Sequence, residues 1–240
     1  MMRQAKPAFL QTLVMASVFC SASVASSHAA RIVIDVGHNL ANPGTTSAYG
    51  ETEFSYNQAL ADVVVKQLQA AGHVVKVVGA DGLMNELKPR AEAASGSDLF
   101  ISLHHDSMKQ EYLEEWLVNG QSQWMSERFR GYSLYVFSDG PAYAQSLHCA
   151  GMISQAMQSR GFQPTLHHSD GIAGENRPLL DRQLGIYQAN FAVLKHNSIP
   201  ALLLEAGVIR HPEEAKQLKQ HAVQQNIAKA IIAGLDCLLR

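Results

Sequence analysis

The chain lacks long uninterrupted apolar runs, flexible linkers and internal repeats. Its longest apolar stretch, from Ala8 to about Val24, is interrupted by Gln11, Thr12 and several serines, and it is short for a bilayer span. No tract rich in proline, glycine and serine and no low-complexity segment follows that stretch. These absences argue against a membrane-spanning helix and against a division of the chain by a linker.

The first 29 residues have the pattern of a secretory signal peptide. Arg3 and Lys6 provide the positive start, and the apolar stretch follows them. Ser27-His28-Ala29 then places small residues at positions −3 and −1 of a cleavage site before Ala30. We therefore expect export, and an uncleaved anchor is the alternative.

Charge and cysteine content narrow the function of the expected mature chain, residues 30–240. The leader contains two of the 19 Lys and Arg residues, so 17 remain against 21 Asp and Glu, a formal charge of −4. This balance argues against nucleic acid or an anionic membrane as a partner. Cys149 and Cys237 also remain. In an oxidising compartment they could form a disulfide, and two buried free thiols are an equally open alternative.

Short apolar runs alternate with amphipathic stretches along the mature chain, which is long enough for one substantial domain. The runs predict strands at 31–36, 74–78, 99–103, 132–137, 187–195 and 201–209, and helices at 53–71, 87–94, 142–160 and 212–239. This alternation predicts an α/β fold of a single domain, in which helices cover both faces of a mostly parallel central sheet. Such sheets bind ligands at the carboxyl ends of their strands.

Two histidines and two glutamates stand at the ends of these predicted elements. His38 follows the first strand, Glu53 opens the first helix, His104 ends the third strand, and Glu205 follows an apolar run in the last strand. Two imidazoles and one carboxylate, with a fourth position left to water, form the ligand set of a catalytic zinc site. A further carboxylate beside that water can serve as general base. The carboxylate of Glu205 would be costly to bury unless a cation lies near it.

The segments around these four residues resemble the zinc-dependent N-acetylmuramoyl-L-alanine amidases, the type 3 amidase family of cell-wall hydrolases. The matching motifs are, in order, Ile34-Asp-Val-Gly-His-Asn39, Glu53-Phe-Ser-Tyr-Asn57, Ser102-Leu-His-His105 and Leu204-Glu205. The resemblance runs from about Arg31 to the C-terminus and implies a zinc amidase domain over 30–240. It implies that His38, Glu53 and His104 bind one zinc ion (Zn2+) per chain, and that Glu205 is catalytic.

The resemblance also implies the reaction and the substrate. Zinc-activated water, with a glutamate as general base, would cleave the amide bond between N-acetylmuramic acid and L-alanine in peptidoglycan. We expect a monomer without a stable membrane anchor whose partner is peptidoglycan or a muramyl peptide, in the periplasm, with secretion or wall association as alternatives. A protein activator is left open. The rival functions are a zinc carboxypeptidase on wall peptides and a non-catalytic peptidoglycan-binding protein of the same fold.

Three positions depart from the family motifs. Val36 stands in place of a proline and Asn39 in place of a glycine. Asparagine tolerates left-handed backbone better than most residues, so we expect the turn after His38 to survive. His105 replaces a small residue beside His104. Successive strand residues point to opposite faces, so only one of these two imidazoles should bind the ion, and the resemblance favours His104.

The segment 108–130 follows the strand that ends with His104 and mixes charged residues with Trp116 and Trp124. Its position and composition suit a partly helical lid or a rim that contacts the glycan. An ordinary surface loop held by the two tryptophans is the alternative.

The loop 163–185 contains further candidates. We interpret His167 and His168 as surface residues, with a role as ligands or transition-state partners as the alternative. Arg177 is a candidate for binding a substrate carboxylate through paired hydrogen bonds, against simple loop packing. The proposed substrate-binding residues of this loop are Glu175, Asn176 and Arg177.

Overall fold

A computed structural model of the protein describes residues 29–171 and 176–239. Apart from Ala29, the predicted leader lies outside the described residues, and so does Glu175. None of the helices in these two ranges is both long and apolar enough to cross a membrane.

The described residues form nine strands, six α-helices and three short 3₁₀ helices. The strands are β1 (Arg31–Val36), β2 (Val74–Val78), β3 (Leu99–Asp106), β4 (Glu114–Val118), β5 (Gln121–Met125), β6 (Ser133–Val136), β7 (Leu179–Asp181), β8 (Ile186–Gln188) and β9 (Ala201–Val208). The helices are α1 (Glu53–Ala70), α2 (Leu87–Glu92), α3 (Tyr143–Gln158), α4 (Ala192–Lys195), α5 (Pro212–Leu218) and α6 (His221–Gly234).

Seven strands form one sheet in the order β2-β1-β3-β9-β6-β8-β7. All neighbours are parallel except β6 with β9 and β7 with β8. The register places Asp35 opposite Ser102 and His104 opposite Glu205. The predicted single-domain α/β fold with a mostly parallel sheet is confirmed.

Helices cover both faces of this sheet. The helices α1, α3 and α6 pack together on the face to which Ile32, Ile34 and Val36 point, whereas α2 and α4 lie on the face of Val33. This alternation follows from the two-residue period of a strand. A disulfide between Cys149 of α3 and Cys237, beyond α6, ties the larger helical layer together. The sequence left a disulfide and two free thiols as alternatives for these cysteines, and the structure contains the disulfide.

Two predicted elements were wrong in type or extent. The predicted strand 187–195 is the short strand β8 followed by the helix α4. Short apolar runs fit either type, and here the run splits between both. The predicted helix 212–239 is broken at Gln220, which has extended backbone. The break lets α6 turn to pack on α1 and α3.

The segment 108–130 is a β-hairpin rather than a partly helical lid. Its only helical part is one 3₁₀ turn, Gln110–Tyr112, and β4 and β5 follow as an antiparallel pair. Asn119 and Gly120 join the strands, and both have positive φ, 51° and 77°. Asn-Gly between two strands is a strong sequence signal for a hairpin, so this element could have been predicted.

Candidate metal centre

His38 lies in a sharp turn directly after β1. Its own φ is 66°. The turn after His38 is present, as expected, but its left-handed residue is His38 and not Asn39. The side-chain Oδ1 of Asn39 instead accepts hydrogen bonds from the backbone N–H groups of Ala41 and Asn42 (2.9 and 2.8 Å). Left-handed backbone at a residue with a side chain costs on the order of 1–3 kcal/mol and needs support from its surroundings.

Arg90 of α2 supplies that support from a fully buried position. Its Nη2 donates to the carbonyl oxygen of His38 (2.5 Å), and its Nη1 donates to the carbonyl oxygen of Val36 (2.6 Å) and to Asp35 Oδ1 (2.9 Å). The hydroxyl of Ser102 donates to the other oxygen of Asp35 (2.6 Å). Sequence reasoning missed this network, although an aspartate inside the apolar run of β1 was a signal for a buried cation.

The carboxylate of Glu53 lies between two imidazoles. His38 Nε2 is 2.9 Å from Oε2, and His104 Nδ1 is 3.0 Å from Oε1. Donor atoms of all three residues lie within 4.8 Å of one another, so they could hold a metal ion together. Glu53 reaches this point because Thr52 caps α1, accepting a hydrogen bond from the backbone N–H of Ser55 (3.4 Å).

Two glycines make this close approach feasible. A Cβ added to Gly37 would lie 2.3 Å from the ring of His104, and one added to Gly44 would lie 2.3 Å from Glu53 Oε2. Gly44 also has a φ of 78°, which favours glycine. Larger residues at these positions would displace the histidine or the glutamate from the group.

Electrostatics within the group favour a charged carboxylate. Burial alone would raise the pKa of Glu53, but hydrogen bonds from His104 and His38 outweigh it and hold the pKa well below its usual value. Burial alone would lower the pKa of His38, but the hydrogen bond with Glu53 and the negative charge of Glu53 raise this pKa above its usual value. Glu53 thus presents a negatively charged carboxylate to two imidazoles, as a metal ligand would.

Glu205 lies beside this group and has unsatisfied hydrogen-bonding capacity. It pairs with His104 in the register of β3 and β9. Its Oε2 atom is buried and has no hydrogen-bond partner among the described residues. Burial, and then the negative charges of Asp106 and Glu53, raise the pKa of Glu205 well above its usual value. A buried carboxylate in this position is stabilised by a nearby cation, so the residues present fit a divalent metal ion.

His105 lies outside the group of three. It is buried, and its Nδ1 is 2.8 Å from Asn57 Oδ1. Burial lowers the pKa of His105 to about 3, so it stays neutral. Asn57 also donates to the carbonyl oxygen of Gly37 (3.1 Å) and thereby links α1 to the turn of His38.

The loop candidates have structural contacts of their own. Asn176 Oδ1 accepts from the backbone N–H of Gly171 (3.2 Å), and the guanidinium of Arg177 lies 5.5 Å from the ring centroid of Phe191. Substrate binding by Asn176 and Arg177 stays a prediction. The interpretation of His167 and His168 as surface residues was wrong, because both side chains are largely buried.

Comparison with known proteins identifies the family of the chain. The family model of the N-acetylmuramoyl-L-alanine amidases matches residues 32–237. The probable cell wall amidase LytH of Staphylococcus aureus is 24% identical over 206 residues, which cover 85% of this chain and 56% of LytH. The chain thus spans about half the length of the curated relatives it matches.

Solved structures of amidases share the fold. Ami1, the N-acetylmuramyl-L-alanine amidase of Mycobacterium smegmatis, has a TM-score of 0.68 at 20% identity, with 88% of this chain and 96% of that chain covered. The CwlD amidase from Clostridioides difficile, solved in complex with the GerS lipoprotein, has a TM-score of 0.63 at 18% identity, with 88% and 98% covered. The family match extends over most of the chain and agrees with the resemblance of its motifs. The chain therefore belongs to the type 3 N-acetylmuramoyl-L-alanine amidase family.

Proposed function

We propose that this protein is an exported zinc amidase that hydrolyses the bond between N-acetylmuramic acid and L-alanine in peptidoglycan. Family membership supports the reaction class and the substrate. The observation that carries the assignment of the site is the Glu53 carboxylate between His38 and His104. Beside it lies the buried Oε2 of Glu205, for which residues 29–171 and 176–239 supply no hydrogen-bond partner.

His38, Glu53 and His104 would hold the zinc ion. Their donor set of two imidazole nitrogens and a carboxylate is typical of catalytic zinc sites. When bound, zinc acidifies water and polarises a carbonyl group, which is the chemistry that amide hydrolysis requires. Glu53 is held for this role by the backbone N–H of Thr45 (3.2 Å) and by the amide of Asn57 (3.4 Å). Such outer partners orient metal ligands.

Glu205 would act as the general base. Its position opposite His104 places a carboxylate beside the metal group, and its Oε2 is not engaged by any donor among the described residues. In the reaction it takes a proton from the attacking water and gives it to the leaving amine of L-alanine. Burial and the neighbouring carboxylates raise the pKa of Glu205, and a bound cation would oppose this shift and favour the ionised form that accepts the proton.

Mass spectrometry of products from purified sacculi tests the proposal. We expect release of stem peptides with a free L-alanine N-terminus, loss of release on chelation, and recovery with zinc. Release of a C-terminal amino acid from free peptide would instead identify a carboxypeptidase. Sacculus binding without any product would identify a wall-binding protein.

Two further parts of the proposal need separate measurements. Cell fractionation and N-terminal sequencing should find the protein outside the cytoplasm, beginning at Ala30. Since CwlD was solved with the GerS lipoprotein, a protein partner is a candidate requirement for activity. Amidase activity of the protein alone is compared with its activity after addition of an envelope extract, which would supply such a partner.

A further inference from the structure

A second cluster of metal-ligating side chains lies at the end of β3, and the proposed reaction leaves it unused. Asp106 follows His104 by two residues, whereas His167 and His168 come from the 3₁₀ turn at 167–169. Donor atoms of Asp106, His167 and His168 all lie within 4.8 Å of one another. His168 Nε2 is 2.7 Å and His167 Nε2 is 3.6 Å from the same atom, Asp106 Oδ2.

We propose that Asp106, His167 and His168 form a second binding site, for a divalent transition-metal ion of the zinc class. As in the first group, two imidazole nitrogens approach one carboxylate. This donor set suits zinc, nickel or copper, whereas calcium and magnesium prefer shells of oxygen ligands. The carbonyl oxygen of Ser107, 3.2 Å from His167 Nε2, is a further oxygen at the same place.

The partners around the cluster direct its donor atoms inward. Asp106 Oδ1 accepts from the backbone N–H of Ser107 (2.8 Å), so Oδ2 is the oxygen that faces the histidines. His167 Nδ1 lies 2.8 Å from the hydroxyl oxygen of Thr165. In the structure, the Nε2–H of His167 donates to the carbonyl oxygen of Ser107 (3.2 Å). An ion would select the other tautomer, in which the Nδ1–H donates to the hydroxyl of Thr165 and the lone pair of Nε2 faces Asp106. Metal-binding histidines commonly donate their second N–H in this way.

Aromatic side chains hold both imidazole rings in place. Phe129 stacks on His167, with ring centroids 5.3 Å apart, and the rings of Tyr135 and Tyr187 contact His168 edge-on at 5.9 and 6.0 Å. The side chain of His167 is completely buried, whereas that of His168 is 12% exposed. The two imidazoles are therefore already ordered and would lose little conformational entropy when an ion binds. The ion would enter past His168, which is the more exposed of the two.

The two metal groups are neighbours but have separate ligands. Ser107 Oγ lies 3.0 Å from Thr45 Oγ1, and the backbone N–H of Thr45 donates to Glu53 Oε2. This chain of contacts connects the groups without sharing a donor atom between them. Changes to His38 and His104 should therefore leave the second group intact.

Zinc binding by a variant that lacks the first site tests the proposal directly. The variant His38→Ala/His104→Ala is stripped with chelator, dialysed and titrated with Zn2+, and bound metal is measured by elemental analysis. We expect about one ion per chain in this variant and about two in the wild type. Adding His168→Ala should remove the remaining ion, whereas adding His148→Ala, an exposed histidine of α3, should not. Zn2+ should also raise the melting temperature of the double variant, because binding to the folded state stabilises it.

Three results would overturn the second site. One is a folded double variant that binds no zinc, and another is a double variant whose zinc survives His168→Ala. If circular dichroism shows that the double variant is unfolded, wild type and His168→Ala are compared instead, and equal zinc contents are the third. Metal content is measured without substrate, so failure here is independent of the proposed amidase reaction.

Discussion

His104 and Glu205 lie directly opposite each other across the parallel strands β3 and β9. Ser133 of β6 pairs with Glu205 from the other side. The position of the proposed base relative to a proposed ligand is therefore fixed by the sheet itself and not by a loop. Because the sheet holds Glu205 in place, a near-isosteric substitution can test its role, and the same substitution at Glu53 serves as the comparison.

Glu205→Gln should keep the metal and the fold but lose turnover. The amide has almost the same shape as the carboxylate, but it cannot take a proton from water. We expect muramyl-peptide release to fall by about 10²–10⁴-fold, the usual contribution of a positioned general base. Zinc content and peptide release are measured on the same preparation, and near-normal turnover would remove Glu205 from the mechanism.

Glu53→Gln is the matched variant and should behave differently. It removes the negative charge between His38 and His104, so zinc binding itself should weaken. Elemental analysis after dialysis at increasing chelator concentration measures this loss. If Glu53→Gln retains zinc as firmly as the wild type while Glu205→Gln loses it, the assigned roles are reversed.

His104→Ala should lower the zinc content by about one ion per chain, whereas His105→Ala should not. The reason is that His104 faces Glu53, while the imidazole of His105 is engaged with Asn57. His105→Ala should instead lower thermal stability, since it empties a buried position. Loss of zinc in His105→Ala with a normal melting temperature would show that the wrong histidine has been assigned.

The hairpin β4–β5 should contribute to activity on the polymer. Its Trp124 is 43% exposed, and the hairpin is tied to the metal group because Arg210 donates both to the carbonyl oxygen of Trp124 (3.0 Å) and to Thr45 Oγ1 (3.2 Å). Exposed aromatic rings next to polar groups suit contact with sugars. We expect Trp124→Ala to reduce activity on sacculi several-fold more than activity on a soluble muramyl peptide.

Leu117→Ser is the control for this prediction, because Leu117 is 79% exposed on the same hairpin but has no aromatic ring. It should leave both activities unchanged. Unaltered kinetics of Trp124→Ala on both substrates, with normal zinc content, would reduce the hairpin to an ordinary surface element.

Stability should depend on pH through Glu214. Burial raises the pKa of Glu214 to about 7, although the backbone N–H groups of Val208 and Gly131 donate to it. Because the folded-state pKa exceeds the unfolded value of 4.5, stability from this group is fully present below pH 4.5. It is lost as the pH rises through about 7.

Glu214→Gln removes this titration. Urea unfolding should show that the wild type loses about 2–3 kcal/mol relative to the variant between pH 5 and pH 8. An unchanged difference across that range would mean that Glu214 is ionised throughout, held by its two backbone donors.

The disulfide Cys149–Cys237 should stabilise the helical layer. It links residues 88 positions apart, and closing a long loop restricts the unfolded chain, typically by about 2–4 kcal/mol. The variant Cys149→Ala/Cys237→Ala should have a free energy of unfolding that is lower by that amount, and so a lower urea midpoint. Reductant should lower the midpoint of the wild type toward that of the variant, and an insensitive wild type would contradict the prediction.

The sequence by itself determined the fold class and the set of candidate metal ligands. Buried strands are continuous apolar runs, and α1 has helical spacing and a capping threonine, so both are local patterns. His38, Glu53 and His104 could be selected because each stands at the end of such an element. Even the hairpin was encoded locally, in Asn119-Gly120.

Only the tertiary structure decided the contacts between residues that are distant in sequence. That His38 itself takes the left-handed turn depends on Arg90, which reaches its carbonyl group from α2. That His167 is buried beside Asp106 depends on a loop folding back onto β3. Local patterns report which face of an element is apolar, but they do not report which polar side chains meet across the fold. Such contacts arise from packing, which places Asp106, His167 and His168 close together near the group of His38, Glu53 and His104.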